Sequence, residues 1–258
     1  MDGQLAKFRE YVEERSSTGT ARVYAYAIAE WFNFLDGNTP SASNAQDYIK
    51  LLSKQGKSAS TVAMRGHAII RWFKWRKKTV SLELPTIRMG EPKYMSLQDI
   101  EKLLANCKTP LERVLVTVLF DTAVRIAELL NLNKDDIDWA LRLITVTRKG
   151  GRRQEVNISD KALDAVADWL DRRSMNSKRV FMDITYLDAW RTIKVIGVRA
   201  GMKVNPHLFR HSRAIHMLRS GRSLHDVQQH LGHKSITTTA NIYGQFTALD
   251  LKERIPAW

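Results

Sequence analysis

The sequence predicts a mainly α-helical protein in two parts, with a small β-sheet confined to the second. Three observations carry this. Apolar residues recur at the three-and-four spacing of buried helix faces through most of the 258 residues. A stretch at 79–95 with two prolines and a glycine has no helical period and reads as an extended connection. Only residues 142–158 switch to alternation, towards and away from Gly150-Gly151, which is the pattern of a β-hairpin.

In the first part, Leu5, Phe8 and Val12 mark a short opening helix, and Tyr24, Ala27, Ile28, Trp31, Phe32 and Leu35 share one face of a second. Ser43 with Gln46 has the form of a capping box, opening a helix that carries Tyr48, Ile49 and Leu52 and stops at Gly56. A fourth helix is predicted from Thr61 to about Lys77, completing a bundle. After the connection, Ser96 and Asp99 form a second capping box, with Ile100, Leu103 and Leu104 on the apolar side. Leu111 to Asp121 is a strongly apolar helix, interrupted at Thr122-Ala123-Val124 before another begins at Arg125. Arg179-Val180-Phe181 is predicted as a third short strand beside the hairpin, and helices are predicted over 159–173, 186–200, 207–220, 224–231 and from Ile236. The domains are therefore 1–85, a linker at 86–94, and 95–258.

Composition narrows the class. There is no apolar run long enough to span a bilayer and no signal-peptide pattern, and one cysteine, Cys107, provides neither a disulfide nor a zinc framework. No membrane role and a cytoplasmic, nucleoid-associated location are expected. Forty-one Lys and Arg against 27 Asp and Glu give a net charge of +14, with both parts basic. Such an excess favours a polyanion, because neutralised phosphates release condensed counterions.

Four spaced features carry possible chemistry. They are Arg125 in Thr-Ala-Val-Arg-Ile-Ala-Glu-Leu, Lys149 at the hairpin tip, His207-Leu-Phe-Arg210-His211, and Leu231-Gly-His233 followed ten residues later by Tyr243. In this order they resemble the tyrosine recombinase (phage integrase) family, over about Tyr94 to Phe246. That family shows an Arg in a Thr-Gly-x-Arg-x-x-Glu-Leu turn, a hairpin Lys, a His-x-x-Arg pair, a Leu-Gly-His and a terminal Tyr.

The chemistry is coherent in its own terms. Phosphodiester transesterification needs a nucleophile, which Tyr243 supplies, conserving the bond energy in a covalent intermediate. It needs charge stabilisation on the phosphate oxygens, for which the planar guanidiniums of Arg125 and Arg210 are suited. It also needs proton management. His207 lies one helical turn before Arg210, so both side chains can face one phosphate, and its ordinary pKa suits a general base or acid. The resemblance implies that Lys149 protonates the leaving 5′-oxygen and that His233 bonds a non-bridging oxygen. Cationic side chains fill the Lewis-acid role, so neither metal nor other cofactor is expected.

Taken singly, these residues read otherwise: Tyr243 as packing, Arg125 as a salt-bridge partner of Glu128, Lys149 as a solvated turn residue with Arg148 and Arg152 as rivals. His207 and His211, four apart, resemble a metal pair without a third ligand. Only the ordered set displaces these readings. Three departures from the family pattern stand out. Ala123 replaces the turn glycine, where a positive φ would cost alanine about 1 kcal/mol, so a different local turn is expected. Phe209 replaces a frequent Leu. The ten-residue step from His233 to Tyr243 resembles that of a subset of phage and transposon integrases.

Arg71 to Lys78 interleaves basic residues and aromatics; aromatics are expected in the core, with Lys74, Arg76, Lys77 and Lys78 on DNA, joined by Arg65, Arg148 and Arg152, while Lys57 reads equally as a DNA contact or a solvated charge. The resemblance implies a helical, SAM-like core-binding domain and an α-rich catalytic domain with a three-stranded sheet, clamping duplex DNA. It also implies a protein monomeric when free that assembles as a homotetramer on paired sites, with Ala248 to Trp258 docking on a neighbour. No segment precedes the bundle in this sequence, so no arm-type DNA site is expected. The competing readings are a type IB topoisomerase-like relaxing enzyme and a non-catalytic DNA-binding accessory protein.

Overall fold

The computed structural model describes residues 2–87, 93–148, 150–173, 177–232, 235, 237 and 239–240. The chain divides into two compact units, Met1–Gly90 and Glu91–Trp258.

The first unit is built from α1 (Asp2–Glu13), α2 (Thr18–Leu35), α3 (Ala42–Lys54) and α4 (Ala59–Trp75). Serine side chains accept the orphan amides that open three of these helices: Ser17 for α2, Ser41 for α3 and Ser58 for α4. The box on α3 is Ser41 with Asn44, two residues earlier than the predicted Ser43 and Gln46. Gln46 is occupied elsewhere: its amide clasps the backbone of Glu83, accepting from the N–H at 2.8 Å and donating to the carbonyl at 3.2 Å. The segment just before the predicted linker thus lies against the bundle, with Leu82 and Leu84 packed on its core. That core centres on Trp31, which meets Trp72 edge-on at 5.4 Å with Phe8, Ile28, Ile69 and Phe73 around it.

The second unit contains α5 (Leu97–Ala105), α6 (Pro110–Thr122), α7 (Ile126–Leu130), β1 (Ile137–Asp138), β2 (Leu143–Thr147), β3 (Arg153–Asn157), α8 (Asp160–Arg172), α9 (Tyr186–Arg199), α10 (Pro206–Arg219) and α11 (Leu224–Leu231). Its centre is α6, apolar on all sides because α5, α8, α9 and α10 surround it. Val114, Leu115, Val116, Val118 and Leu119 are all fully buried there. Each such side chain stabilises by roughly 1.5–3 kcal/mol, so the helix leading into Arg125 is firmly held. Entry to this unit is fixed on α10: Ser212 Oγ accepts from the Met95 N–H at 2.8 Å, and His216 Nε2 lies 2.9 Å from the Met95 carbonyl. The Ser96–Asp99 box forms as predicted.

The sheet is antiparallel in the order β1-β2-β3, with Ile144 opposite both Ile137 and Val156. The third strand is not the predicted 179–181 segment. Arg179 makes one isolated bridge to Asn133, while Val180 and Phe181 are buried by packing, with Phe181 stacked on Trp169 and the Trp169 indole donating to the Val180 carbonyl. The mainly helical class with one small three-stranded sheet is as predicted. Among the described residues, no helix is long and apolar enough to cross a membrane.

Candidate active site

The turn between α6 and α7 presents Arg125. Ala123 caps α6 in the left-handed region, at φ 53° and ψ 20°. The glycine-type turn is therefore kept despite the alanine, and the expectation of a different turn is corrected. Burial of the Ala123 methyl in the cluster of Ala214, Ile215, Val227 and Leu231 offsets the strain. Arg125 then opens α7 with Glu128 at the third helical position. The Glu128 carboxylate accepts from the Arg125 N–H at 2.9 Å and from Nη1 at 2.7 Å. So the bland reading of Arg125, as a partner of Glu128, also holds. With its side chain 40% exposed, Arg125 keeps an open edge for an anion.

The first turn of α10, capped by Asn205 and opened by Pro206, carries His207 and Arg210. Arg210 is buried, donating from Nη1 to the Ala123 carbonyl at 2.7 Å and from Nη2 to the Leu231 carbonyl at 2.6 Å. It thereby joins the Arg125 turn to the end of α11. Loss of surrounding water, then the charges of Arg210 and Arg125, hold His207 below the ordinary imidazole pKa. The two guanidiniums and the imidazole therefore share one electrostatic neighbourhood, which favours the neutral ring. His211 is lowered as well, by burial, then His207 and Arg210; its ring lies 6.4 Å from that of His207.

Lys149, His233 and Tyr243 lie outside the described residues, as do the helix predicted from Ile236, apart from isolated positions, and the docking segment Ala248 to Trp258.

Of the residues expected on DNA, Lys74, Arg76, Lys77, Lys78 and Arg152 are exposed, as is Lys57. Trp72 and Phe73 are buried and Trp75 partly so, as the mixed reading of that helix end has it. Two expectations need correction. Arg148 is 4% exposed and its guanidinium is committed to Glu128, to Gln154 Oε1 at 3.1 Å and to the His230 carbonyl at 3.2 Å. Its charge is already paired with the Glu128 carboxylate, so it is not the exposed cation that the expectation describes. Arg65 is turned onto Glu30, with its guanidinium 5.1 Å from the Tyr26 ring centre.

The sequence gives His230, the residue before Leu231, the reading of ordinary helix polarity, and the structure buries much of it instead. Burial pushes its pKa down to about 4, with Arg213, Arg148 and Arg210 adding to the effect, against a backbone hydrogen bond to Thr122. Its buried Nε2 has no hydrogen-bond partner among the described residues. Because the folded pKa lies below the unfolded value of about 6.5, the unfolded chain binds more protons between those limits. Stability is fully present above pH 6.5 and falls as the pH drops towards 4, by at most about 3 kcal/mol. Urea titrations of wild type and His230→Gln should show this dependence in the wild type and a shallower one in the variant; parallel curves from pH 6.5 to 4.5 would refute it.

Two cationic forks and an imidazole, set by the ends of α6 and α11 and the starts of α7 and α10, define an anion-handling site of the kind phosphoryl-transfer enzymes use. The model of the phage integrase family matches residues 93–248. The chain is 31% identical over 266 residues to tyrosine recombinase XerA of Pyrococcus furiosus, covering 97% of this chain and 92% of that one. Among solved structures, an XerA recombinase superposes with a TM-score of 0.59 at 25% identity, covering 99% of this chain and all of the other. XerH site-specific recombinase, in a post-cleavage complex with its palindromic difH substrate, shares the fold with a TM-score of 0.76 at 17% identity, covering 98% of this chain and 84% of that one. The chain belongs to the phage integrase family of tyrosine recombinases. Its reaction is the site-specific breakage and rejoining of DNA strands.

Proposed function

We propose that the chain carries out this reaction by transesterification through Tyr243, forming a 3′-phosphotyrosyl link and freeing a 5′-hydroxyl. The observation that carries the reading is the gathering of Arg125, His207 and Arg210: Arg210, in the same helical turn as His207, donates at 2.7 Å to the Ala123 carbonyl of the turn that presents Arg125. Arg125 and Arg210 hold the scissile phosphate and neutralise charge developing on its non-bridging oxygens. Such charge develops beside the N-terminus of α10, whose dipole also favours an anion. His207, whose surroundings favour the neutral ring, takes up the tyrosine proton as the Tyr243 oxygen attacks phosphorus. His233 completes the oxygen contacts, and Lys149 returns a proton to the departing 5′-oxygen. Rejoining reverses these steps with a new 5′-hydroxyl.

The exposed bases Lys74, Arg76, Lys77, Lys78 and Arg152 contact phosphates of duplex DNA, and protomers assemble in fours on paired sites. The XerA relatives support an Xer-like resolution rather than integration or excision of a mobile element, towards which the His233-to-Tyr243 spacing leans.

The test begins with DNA fragments that the protein retains from its own genome, which give the site. A nicked suicide duplex of that site should then yield a covalent adduct with wild type and none with Tyr243→Phe. No wild-type adduct, or an adduct that survives the substitution, overturns the reading. A two-site plasmid separates exchange from relaxation: recombinant circles are expected, and relaxed topoisomers alone would identify a topoisomerase-like activity.

A further inference from the structure

The carbonyls closing α11 are capped by side chains from elsewhere in the fold. The Gln229 carbonyl accepts from Gln154 Nε2 at 2.6 Å, that of His230 from Arg148 Nη2, and that of Leu231 from Arg210. Helix C-termini leave such groups without intrahelical partners and favour cations. Here two of the three caps come from the β2–β3 hairpin. Arg148 also reaches Glu128, so one guanidinium touches the hairpin's Gln154, the end of α11 and the carboxylate that holds Arg125.

Gly232 makes room for this arrangement. It ends α11 at φ +67°, and a Cβ there would stand 2.8 Å from Arg148 Nε and overlap Gln154 Oε1. Any larger residue would therefore displace the Gln154 and Arg148 side chains as well as strain the backbone.

We infer that Arg148 is a positioning residue that latches the hairpin to the end of α11 and orients Arg125 through Glu128. The inference rests on the reading of Arg125 as a phosphate ligand. Both Glu128 oxygens are engaged, Oε1 by Arg125 Nη1 and Oε2 by the Arg125 N–H and Arg148. Without Arg148 the carboxylate keeps only its contacts to Arg125 itself, so nothing beyond that residue anchors it and the direction of Arg125 loosens. Phosphate chemistry is sensitive to such drift: a misplacement of about 1 Å can cost about 100-fold in rate.

The experiment measures single-turnover adduct formation and affinity on the suicide duplex described above, for the full-length chain. Wild type must form the adduct; if it does not, the catalytic reading fails rather than this one. Arg148→Gln and Glu128→Gln should each slow cleavage at saturating DNA by about 10- to 100-fold, with affinity and salt dependence unchanged. The double variant should be no slower than the worse single one, because both act through one contact. Arg148→Lys should recover part of the rate. A weakened affinity with a shallower salt slope and full rate at saturation would make Arg148 a phosphate contact and overturn the inference. Unchanged rate and affinity would overturn it too. Should Arg148→Gln fail to fold, Gln154→Ala decides: a several-fold slower cleavage at constant affinity is expected, and an unaltered rate sinks the latch.

Discussion

Glu128→Ala will destabilise the second unit by about 3–5 kcal/mol, the cost of stranding a buried charge. Both Glu128 and Arg148 are almost wholly shielded from water, at 7% and 4% exposure. Their pairing need not contribute much net stability, since removing two charges from water costs several kcal/mol per ion before attraction recovers it. Deleting one partner is a different matter. Alanine at 128 leaves the Arg148 guanidinium with only the neutral acceptors Gln154 Oε1 and the His230 carbonyl. Urea unfolding followed by circular dichroism checks this, with the transition of the first unit as an internal control. Glu128→Ala/Arg148→Ala removes both charges and should lose less than the sum of the single variants by more than about 1 kcal/mol. A loss below about 1 kcal/mol for Glu128→Ala would mean that water reaches Arg148 and that the site is wetter than its geometry indicates.

That ion pair also marks where sequence reading runs out. Helices were legible because their apolar period and their caps are local: Ser96 with Asp99 lie within one turn, and both the box and the helix behind them form. The α3 box was misplaced by two residues because Ser41-x-x-Asn44 and Ser43-x-x-Gln46 are equally good local patterns. Only Glu83, far along the chain, takes Gln46 out of the competition. The edge strand was misassigned for a similar reason. Val180 and Phe181 have strand-like composition, yet Trp169 and the core claim them, and the edge falls to the two residues Ile137–Asp138. At the site, the ordered motifs singled out Arg125, His207 and Arg210, which the structure places on two turns joined by a hydrogen bond, because chemistry restricts which residue types can serve a phosphate. Arg148 was misread for the opposite reason. A basic residue at a hairpin tip is normally solvated, and its actual partners lie 20 and 82 residues away in sequence. Burial of a charge is decided by such distant partners, and no local pattern announces them.

Arg210→Ala should lower single-turnover cleavage by about 100- to 1,000-fold, the range for removing one preorganised donor from developing charge. Two roles converge on this side chain. In the proposed mechanism it is a phosphate ligand, supplying fixed positive charge in a water-poor place, where each interaction is stronger than in solvent. As a strut it joins the carbonyls of Ala123 and Leu231, whose loss of donors costs about 1–3 kcal/mol each where water cannot replace them. Arg210→Lys separates the roles. Lysine keeps the charge, but a single ammonium lacks the planar fork that spans two carbonyls. Stability should therefore fall in both variants, and the rate should recover less than tenfold in the lysine one. Arg125→Ala offers the contrast: its side chain is 40% exposed and its partner Glu128 retains Arg148, so a similar loss of rate should come with a smaller loss of stability. If Arg210→Ala, still folded in the melt, cleaves within threefold of wild type, Arg210 is a strut alone. The phosphate would then rest on Arg125 and on residues beyond α10, and the shared neighbourhood that depresses His207 would have to be explained by packing.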